Sequence, residues 1–351
     1  MYDRFYGFTG MPFQLTPDSR FFYGSKGHSR AIAHLTYGLA QGEGFIVVTG
    51  EVGAGKTTLV ERLWSQLDRS TYTLARISTT QVSGDDLFRL TAAGFGLDTE
   101  AGAFDTAGRL DKSLLLRRFE AMLREHRLAG RRCLLVVDEV QNLSVAALEE
   151  LRMLSNITED GQASLQTILL GQPQFRRMLA SPELDQLRQR VLASYHLGPL
   201  SEDETRAYIE HRLAAVGWAG NPAWRDDAFA AVFRHTDGIP RRINRLCSRV
   251  LLYGALEESP AISRSMVETT AEELQKDLEG EPGSSYAGSG VTPPLAAPAS
   301  GGLAHDLSAA VMIGRIEALE EAVARRERVF QRLLDVFGQT GAGAGGVAAR
   351  L

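Results

Sequence analysis

The sequence predicts an α/β fold: a three-layer αβα core with a parallel sheet between two layers of helices, then a smaller helical unit and a C-terminal helix. Three observations carry that reading. From Phe45 onward, short apolar runs alternate with helical patterns, as they do in a parallel sheet covered on both faces. The first run, Phe45-Ile46-Val47-Val48, leads into a glycine-rich loop that opens a helix. A later run, Leu134-Leu135-Val136-Val137, ends in Asp138-Glu139, at the strand edge where open α/β sheets place their ligands.

The loop is Gly50-Glu51-Val52-Gly53-Ala54-Gly55-Lys56-Thr57-Thr58, a full match to the Walker A spacing. Glycines let the backbone wrap closely around a polyphosphate. Backbone N–H groups and the following helix N-terminus attract its charge, Lys56 adds a cation, and Thr57 supplies a hydroxyl to Mg²⁺. A chance glycine-rich turn would not fill every fixed position between a strand and a helix. The chain is therefore expected to bind a nucleoside triphosphate.

Around this loop the chain divides into six segments. Residues 1–44 form an aromatic-rich lead-in, broken by Pro12 and Pro17 and read as irregular up to a helix over 29–40. The α/β core takes 45–200, with strands at 45–49, 73–78, 133–137, 166–170 and 194–197. Its helices lie near 57–68, 83–96, 111–129, 144–158 and 173–179. An all-helical unit over 201–279 opens with a capping box, Ser201 to Glu204, and continues with helices near 226–234, 240–257 and 263–277. Residues 280–305 turn to Gly, Ser, Pro and Ala, the composition of a flexible linker. Over 306–337, Ile316, Leu319, Val323, Phe330, Leu333 and Phe337 take a and d heptad positions, with Arg326 interrupting one d site. That pattern fits a coiled coil or partner-docking helix and, equally, an amphipathic helix folded back on the core. The tail, 338–351, is expected to be disordered.

Asp138 would hold the Mg²⁺ shell as a Walker B carboxylate. Glu139, one residue on, is suited to polarise the attacking water as general base. Gln172 ends another apolar strand and is the candidate sensor of the γ-phosphate; capping the helix begun by Pro173 is the competing role. Arg188 and Arg190 precede the last strand, and an arginine there could reach a neighbouring subunit's nucleotide, Arg190 being preferred. In Gly238-Ile239-Pro240-Arg241-Arg242, proline opens a helix and Arg241 could reach back to the nucleotide as a second sensor. Arg242 and Arg245 are expected to face solvent or a partner.

Bulk properties narrow the field further. The chain has 351 residues, 44% hydrophobic and 23% charged, enough for a sizeable core. A net charge of −5 does not mark a general nucleic-acid binder. Cys133 and Cys247 are expected as buried, reduced thiols. The opening residues lack a signal-peptide pattern and no apolar run reaches the length of a membrane span. A cytoplasmic location is expected.

Walker A, an Asp-Glu Walker B, an arginine ahead of the last strand and Gly-x-Pro-Arg in a helical lid together resemble the AAA+ ATPases. The likeness narrows to the general secretion pathway protein A (ExeA-like) group, and within it to secretion ATPases associated with exosortase/PEP-CTERM loci. It rests on Phe5-Tyr6-Gly7, Pro12-Phe13-Gln14-Leu15-Thr16-Pro17-Asp18, Gly42-Glu43-Gly44-Phe45, Gly171-Gln172-Pro173 and Tyr195-His196-Leu197-Gly198-Pro199-Leu200. It covers roughly residues 1–277. The resemblance implies ATP as the nucleotide, nucleotide-dependent homo-oligomers, and work on an envelope secretion or export system, peripheral to the inner membrane through a partner. Members of the secretion type continue into a membrane span and a peptidoglycan-binding domain. Neither is legible after Gly280, which favours a partner protein bound through 306–337.

The leading expectation is thus a Mg²⁺-dependent ATPase driving assembly of a polysaccharide or protein export apparatus. A DNA-associated ATPase of the transposition-regulator type is the alternative, opposed by the acidic charge. A non-hydrolysing nucleotide switch is third, opposed by Glu139.

Overall fold

The computed structural model describes residues 2–16, 18–78, 83–98, 112–159 and 161–279. These belong to the first of two units into which the chain divides, Met1–Glu279 and Gly280–Leu351. The expected linker, the 306–337 helix and the tail lie outside the described residues.

The core is a five-stranded parallel sheet. Its strands are β1 (Phe45–Gly50), β2 (Tyr72–Ile77), β3 (Arg132–Val137), β6 (Leu165–Gly171) and β7 (Val191–Leu197), ordered β2-β3-β6-β1-β7. A two-residue hairpin, β4 (Thr158–Glu159) and β5 (Gln162–Ala163), precedes β6. Because strand side chains alternate faces, each central strand feeds two cores. Phe45, Val47, Leu135, Val137 and Leu169 pack on one side with Phe88, Phe119 and Phe175. Ile46, Val48, Leu134, Val136 and Leu170 pack on the other with Leu35, Leu59 and Leu63. Each such side chain contributes roughly 1.5–3 kcal/mol relative to exposure. Burial on both faces is why these strands read as unbroken apolar runs.

The flanking helices are α2 (Lys26–Gln41), α3 (Lys56–Gln66), α4 (Gly84–Gly94), α5 (Lys112–Leu128), α6 (Val145–Leu154), α7 (Pro173–Leu179) and a single turn, α8 (Asp185–Arg188). A short helix, α1 (Tyr2–Tyr6), opens the chain. Parallel pairing gathers the strand C-termini on one edge: Gly50 ends β1 there, and Asp138 and Gln172 follow β3 and β6.

The smaller unit contains α9 (Glu202–Ala214), α10 (Asp226–Thr236), α11 (Pro240–Leu256) and α12 (Arg264–Glu279). The start of the lead-in, up to Phe21, is part of its core. Tyr2, Tyr6, Phe8, Phe13 and Phe21 are buried with Ile209, Val232 and Leu246. Tyr2 Oη lies 3.3 Å from Ser248 Oγ, and Tyr6 Oη donates to the Ser259 carbonyl at 3.4 Å.

Several local expectations need correction. The lead-in starts as a helix rather than irregularly, and α2 begins three residues before 29. Ser25 is its cap, its hydroxyl accepting from His28 N at 3.2 Å. α6 stops at Leu154, before the β4–β5 hairpin, instead of running to 158. β7 begins at Val191 rather than 194; as an edge strand it buries only Ala193 and Leu197. The smaller unit is not all helical: β8 (Ala223–Trp224) and β9 (Ala261–Ile262) form a two-residue parallel pair. Cys133 and Cys247 are buried and unpaired. Among the described residues no helix is long and apolar enough to cross a membrane.

Candidate active site

The loop after β1 turns at Glu51–Ala54, where Ala54 N donates to the Glu51 carbonyl at 3.1 Å. Gly53 (φ +83°) and Gly55 (φ +101°) take left-handed backbone that other residues rarely adopt. Space demands glycine too. A Cβ on Gly53 would overlap Arg241 Cβ, and one on Gly55 would sit 2.8 Å from His28 Nε2. Ala54 is buried in the turn, Val52 is exposed at the cleft, and Thr57 and Thr58 follow on α3.

Lys56 opens α3 and folds back over the loop. Its Nζ donates to the carbonyls of Gly50 at 2.8 Å and Glu51 at 3.1 Å. Burial pushes its pKa down, opposed by the carboxylates of Glu139, Asp138 and Glu51. Thr57 Oγ1 donates to Asp138 Oδ2 at 2.9 Å, although 81 residues separate them. The loop and the β3 carboxylates therefore meet, and a hydroxyl and a carboxylate oxygen stand together as hard ligands of the kind Mg²⁺ takes.

Glu139 has φ +52°, unusual for a non-glycine residue, and its carboxylate is held by two amides. Gln141 Nε2 donates to Oε2 at 2.6 Å and Gln172 Nε2 donates to the same oxygen at 3.1 Å. Gln141 Oε1 in turn accepts from Gln172 N at 2.9 Å. Oε1 of Glu139 is left without a protein partner among the described residues. Burial pushes the Glu139 pKa up, but Gln141, Gln172 and the charges of Lys56 and Arg241 outweigh it, and the net shift is downward. The side chain of Gln172 makes no capping bond to α7, the competing role weighed for it, and contacts Glu139 instead.

Arg241 follows Pro240 at the start of α11, and its backbone N donates to the Gly53 carbonyl at 3.2 Å, docking the smaller unit onto the loop. Arg242 pairs with Asp237 at 2.7 Å and Arg245 is exposed. Arg190 is placed differently. It directly precedes β7, its carbonyl accepts from Phe45 N at 2.9 Å, and its guanidinium donates to Ser155 O and Oγ at 3.2 and 3.1 Å. That is the edge where the strands begin, opposite the loop. Arg188 pairs with Asp185 nearby. Neither arginine reaches its own chain's cleft.

Sequence reasoning missed three single residues and one polar chain. Arg76 on β2 lies 3.1 Å from Asp138 Oδ2. Gln141 holds Glu139. His28 on α2 packs against Gly55, with Nδ1 2.7 Å from Ser25 Oγ and its pKa pushed down by burial. In the smaller unit a buried polar chain runs from Arg212 Nη1 to Tyr208 Oη (3.0 Å) and on to Asn244 Oδ1 (2.9 Å). A second Arg212 nitrogen donates to the Gln14 carbonyl at 3.3 Å. The two ends enclose one cleft of about 350 Å³, lined by Gly53, Lys56 and Glu139 at one end and Leu15, Tyr208 and Arg212 at the other. A backbone cradle that admits no Cβ, an ammonium beside it and a hydroxyl–carboxylate pair fit a polyphosphate with a divalent cation.

The AAA domain family matches residues 39–179. General secretion pathway protein A of Aeromonas hydrophila is 37% identical over 278 residues, 78% of this chain. The chain belongs to the AAA+ family, in the general secretion pathway protein A group. It spans about half the length of that curated relative, 48%. Solved structures of similar fold align as well. The ORC2 protein of Aeropyrum pernix, in ADPNP–ADP complexes, superposes with a TM-score of 0.56 at 16% identity over 75% of this chain and 71% of its own. Cdc6p of Pyrobaculum aerophilum gives 0.56 at 16% over 76% and 75%. At such identities the fold is what is shared.

Proposed function

We propose that this AAA+ chain is a Mg²⁺-dependent ATPase that works as a homo-oligomer on the assembly of an envelope secretion or polysaccharide/protein export system. The observation that carries the hydrolytic reading is the meeting of Lys56, Thr57, Asp138 and Glu139 at one cleft. In this reading the loop from Gly50 to Thr58 binds the phosphates, and Lys56 offers them its cation. Thr57 and Asp138 would hold the metal, which when bound would neutralise phosphate charge. Glu139, its Oε2 fixed by Gln141 and Gln172, keeps Oε1 to accept a proton from the attacking water. A lowered pKa keeps it ionised for that task. Gln172 couples Glu139 to the end of β6, and Arg241 couples the lid to the loop. Arg190 acts on a neighbouring subunit.

The export role follows from identity to general secretion pathway protein A and is a proposal for this chain. The acting location in this reading is the cytoplasmic side of the envelope, with a partner bound through 306–337. ATP hydrolysis followed in the wild type and in Glu139→Gln tests the chemistry. Turnover that is absent from the wild type, or undiminished in the variant, would refute it. Sedimentation with and without ATP tests the assembly.

A further inference from the structure

We propose that Arg76 sets how tightly this site takes its divalent cation, acting as a resident positive charge on Asp138. The inference rests on the nucleotide–metal reading above and goes beyond it by adding a positioning residue. Register places Arg76 there: Arg76 pairs with Val136 and Ile77 with Val137, and Asp138 N continues the ladder to the Ile77 carbonyl at 2.9 Å. The side chain thus leaves β2 beside the end of β3. Arg76 Nη2 donates to Asp138 Oδ2 at 3.1 Å, the same oxygen that accepts from Thr57 Oγ1 at 2.9 Å. Oδ1 accepts from Glu139 N at 3.0 Å.

Both oxygens of Asp138 are therefore engaged, and one of the three partners is a full charge. The carboxylate side chain is 9% exposed and the guanidinium 36%, so water screens the pair only in part. A second arm of Arg76 reaches Glu61 on α3 at 3.4 Å, a tether that draws the charge away from Asp138. The carboxylate that would hold the metal already shares its negative charge with a guanidinium. Metal uptake must compete with that neutralisation while the geometry of Asp138 stays fixed.

The test titrates Mn²⁺ against the full-length protein in the presence of ADP, following the free-ion electron paramagnetic resonance signal. Arg76→Gln removes the charge, so half-saturating Mn²⁺ should fall about three- to ten-fold at low salt, and less at high salt. Arg76→Lys keeps the charge and should stay near the wild type. Glu61→Gln loosens the tether and should raise half-saturating Mn²⁺, which gives an independent arm if Arg76→Gln does not fold. Unchanged or higher half-saturation in Arg76→Gln overturns the proposal, as does no change in Glu61→Gln. Metal-free ADP uptake, measured by calorimetry on the wild type, separates the two readings. ADP uptake with an unshifted metal midpoint sinks only the role of Arg76, whereas no uptake of ADP or Mn²⁺ sinks both.

Discussion

Lys56 Nζ donates to the Gly50 carbonyl at 2.8 Å, so the cation of the loop is anchored by the loop it serves. A short or neutral side chain at 56 loses the charge offered to phosphate and leaves two carbonyls without a donor. Lys56→Ala should weaken ATP binding by at least about 100-fold, the scale of one or two lost charge-assisted hydrogen bonds. Isothermal calorimetry reads it directly. Binding within a few-fold of the wild type would remove Lys56 from the phosphate site.

Glu139→Gln should abolish turnover by roughly 10²–10⁴ while sparing ATP binding, because only proton acceptance is lost. Gln141→Leu should act in the same direction but less, on the order of ten-fold in kcat with KM near the wild type. It removes one of two amides that fix Oε2. Steady-state kinetics of the pair decides whether position or charge dominates at Glu139.

Arg190→Ala should lower turnover and leave binding intact, since its guanidinium sits on the sheet edge away from its own cleft. A mixing experiment isolates the effect. Arg190→Ala and Glu139→Gln proteins, each impaired, should regain part of the activity when combined, because intact sites then form across subunit boundaries. A mixture no more active than its components would count against action between subunits. Loss of the two bonds to Ser155 should also cost about 1–2 kcal/mol of stability, seen as a modest fall in Tm.

His28 predicts a pH dependence of folding. Burial holds its folded pKa below the ordinary value, so below about pH 6.5 the unfolded chain binds a proton that the folded protein resists. The stability is therefore present above that pH and is lost as pH falls towards the lowered folded pKa. The wild type should lose more Tm between pH 7.5 and pH 5 than His28→Gln does. Parallel curves for the two proteins would show that His28 titrates freely.

How much of this was legible depended on whether a residue's role was local. β1, β3 and β6 are buried on both faces and announce themselves as apolar runs, and the Walker loop has fixed spacing. β7 has a single strand neighbour and buries only Ala193 and Leu197, so its apolar start, Val191-Leu192-Ala193, is too short a run to mark a strand. Arg76 could not be read because its meeting with Asp138 depends on which strand lies next to β3 and in what register. His28 meets Gly55 only through the packing of α2, and Gln141 meets Glu139 only because the backbone turns left-handed there. Two-residue strands such as β8 and β9 are shorter than any periodicity. Arg190 is conspicuous in sequence, yet which sheet edge it occupies needed the fold.

Burial of Tyr2, Phe8, Phe13 and Phe21 beneath α9 and α11 joins residues far apart in the sequence, with Tyr2 and Ser248 separated by 246 positions. On the ribosome, these aromatics must wait uncovered until residues beyond 250 have emerged. At roughly 5–20 residues per second that interval lasts on the order of ten seconds or more. Closure of so long a loop makes this step a slow one in maturation. Chaperone dependence, and aggregation of prematurely terminated chains, should trace to this aromatic stretch before any other part of the molecule.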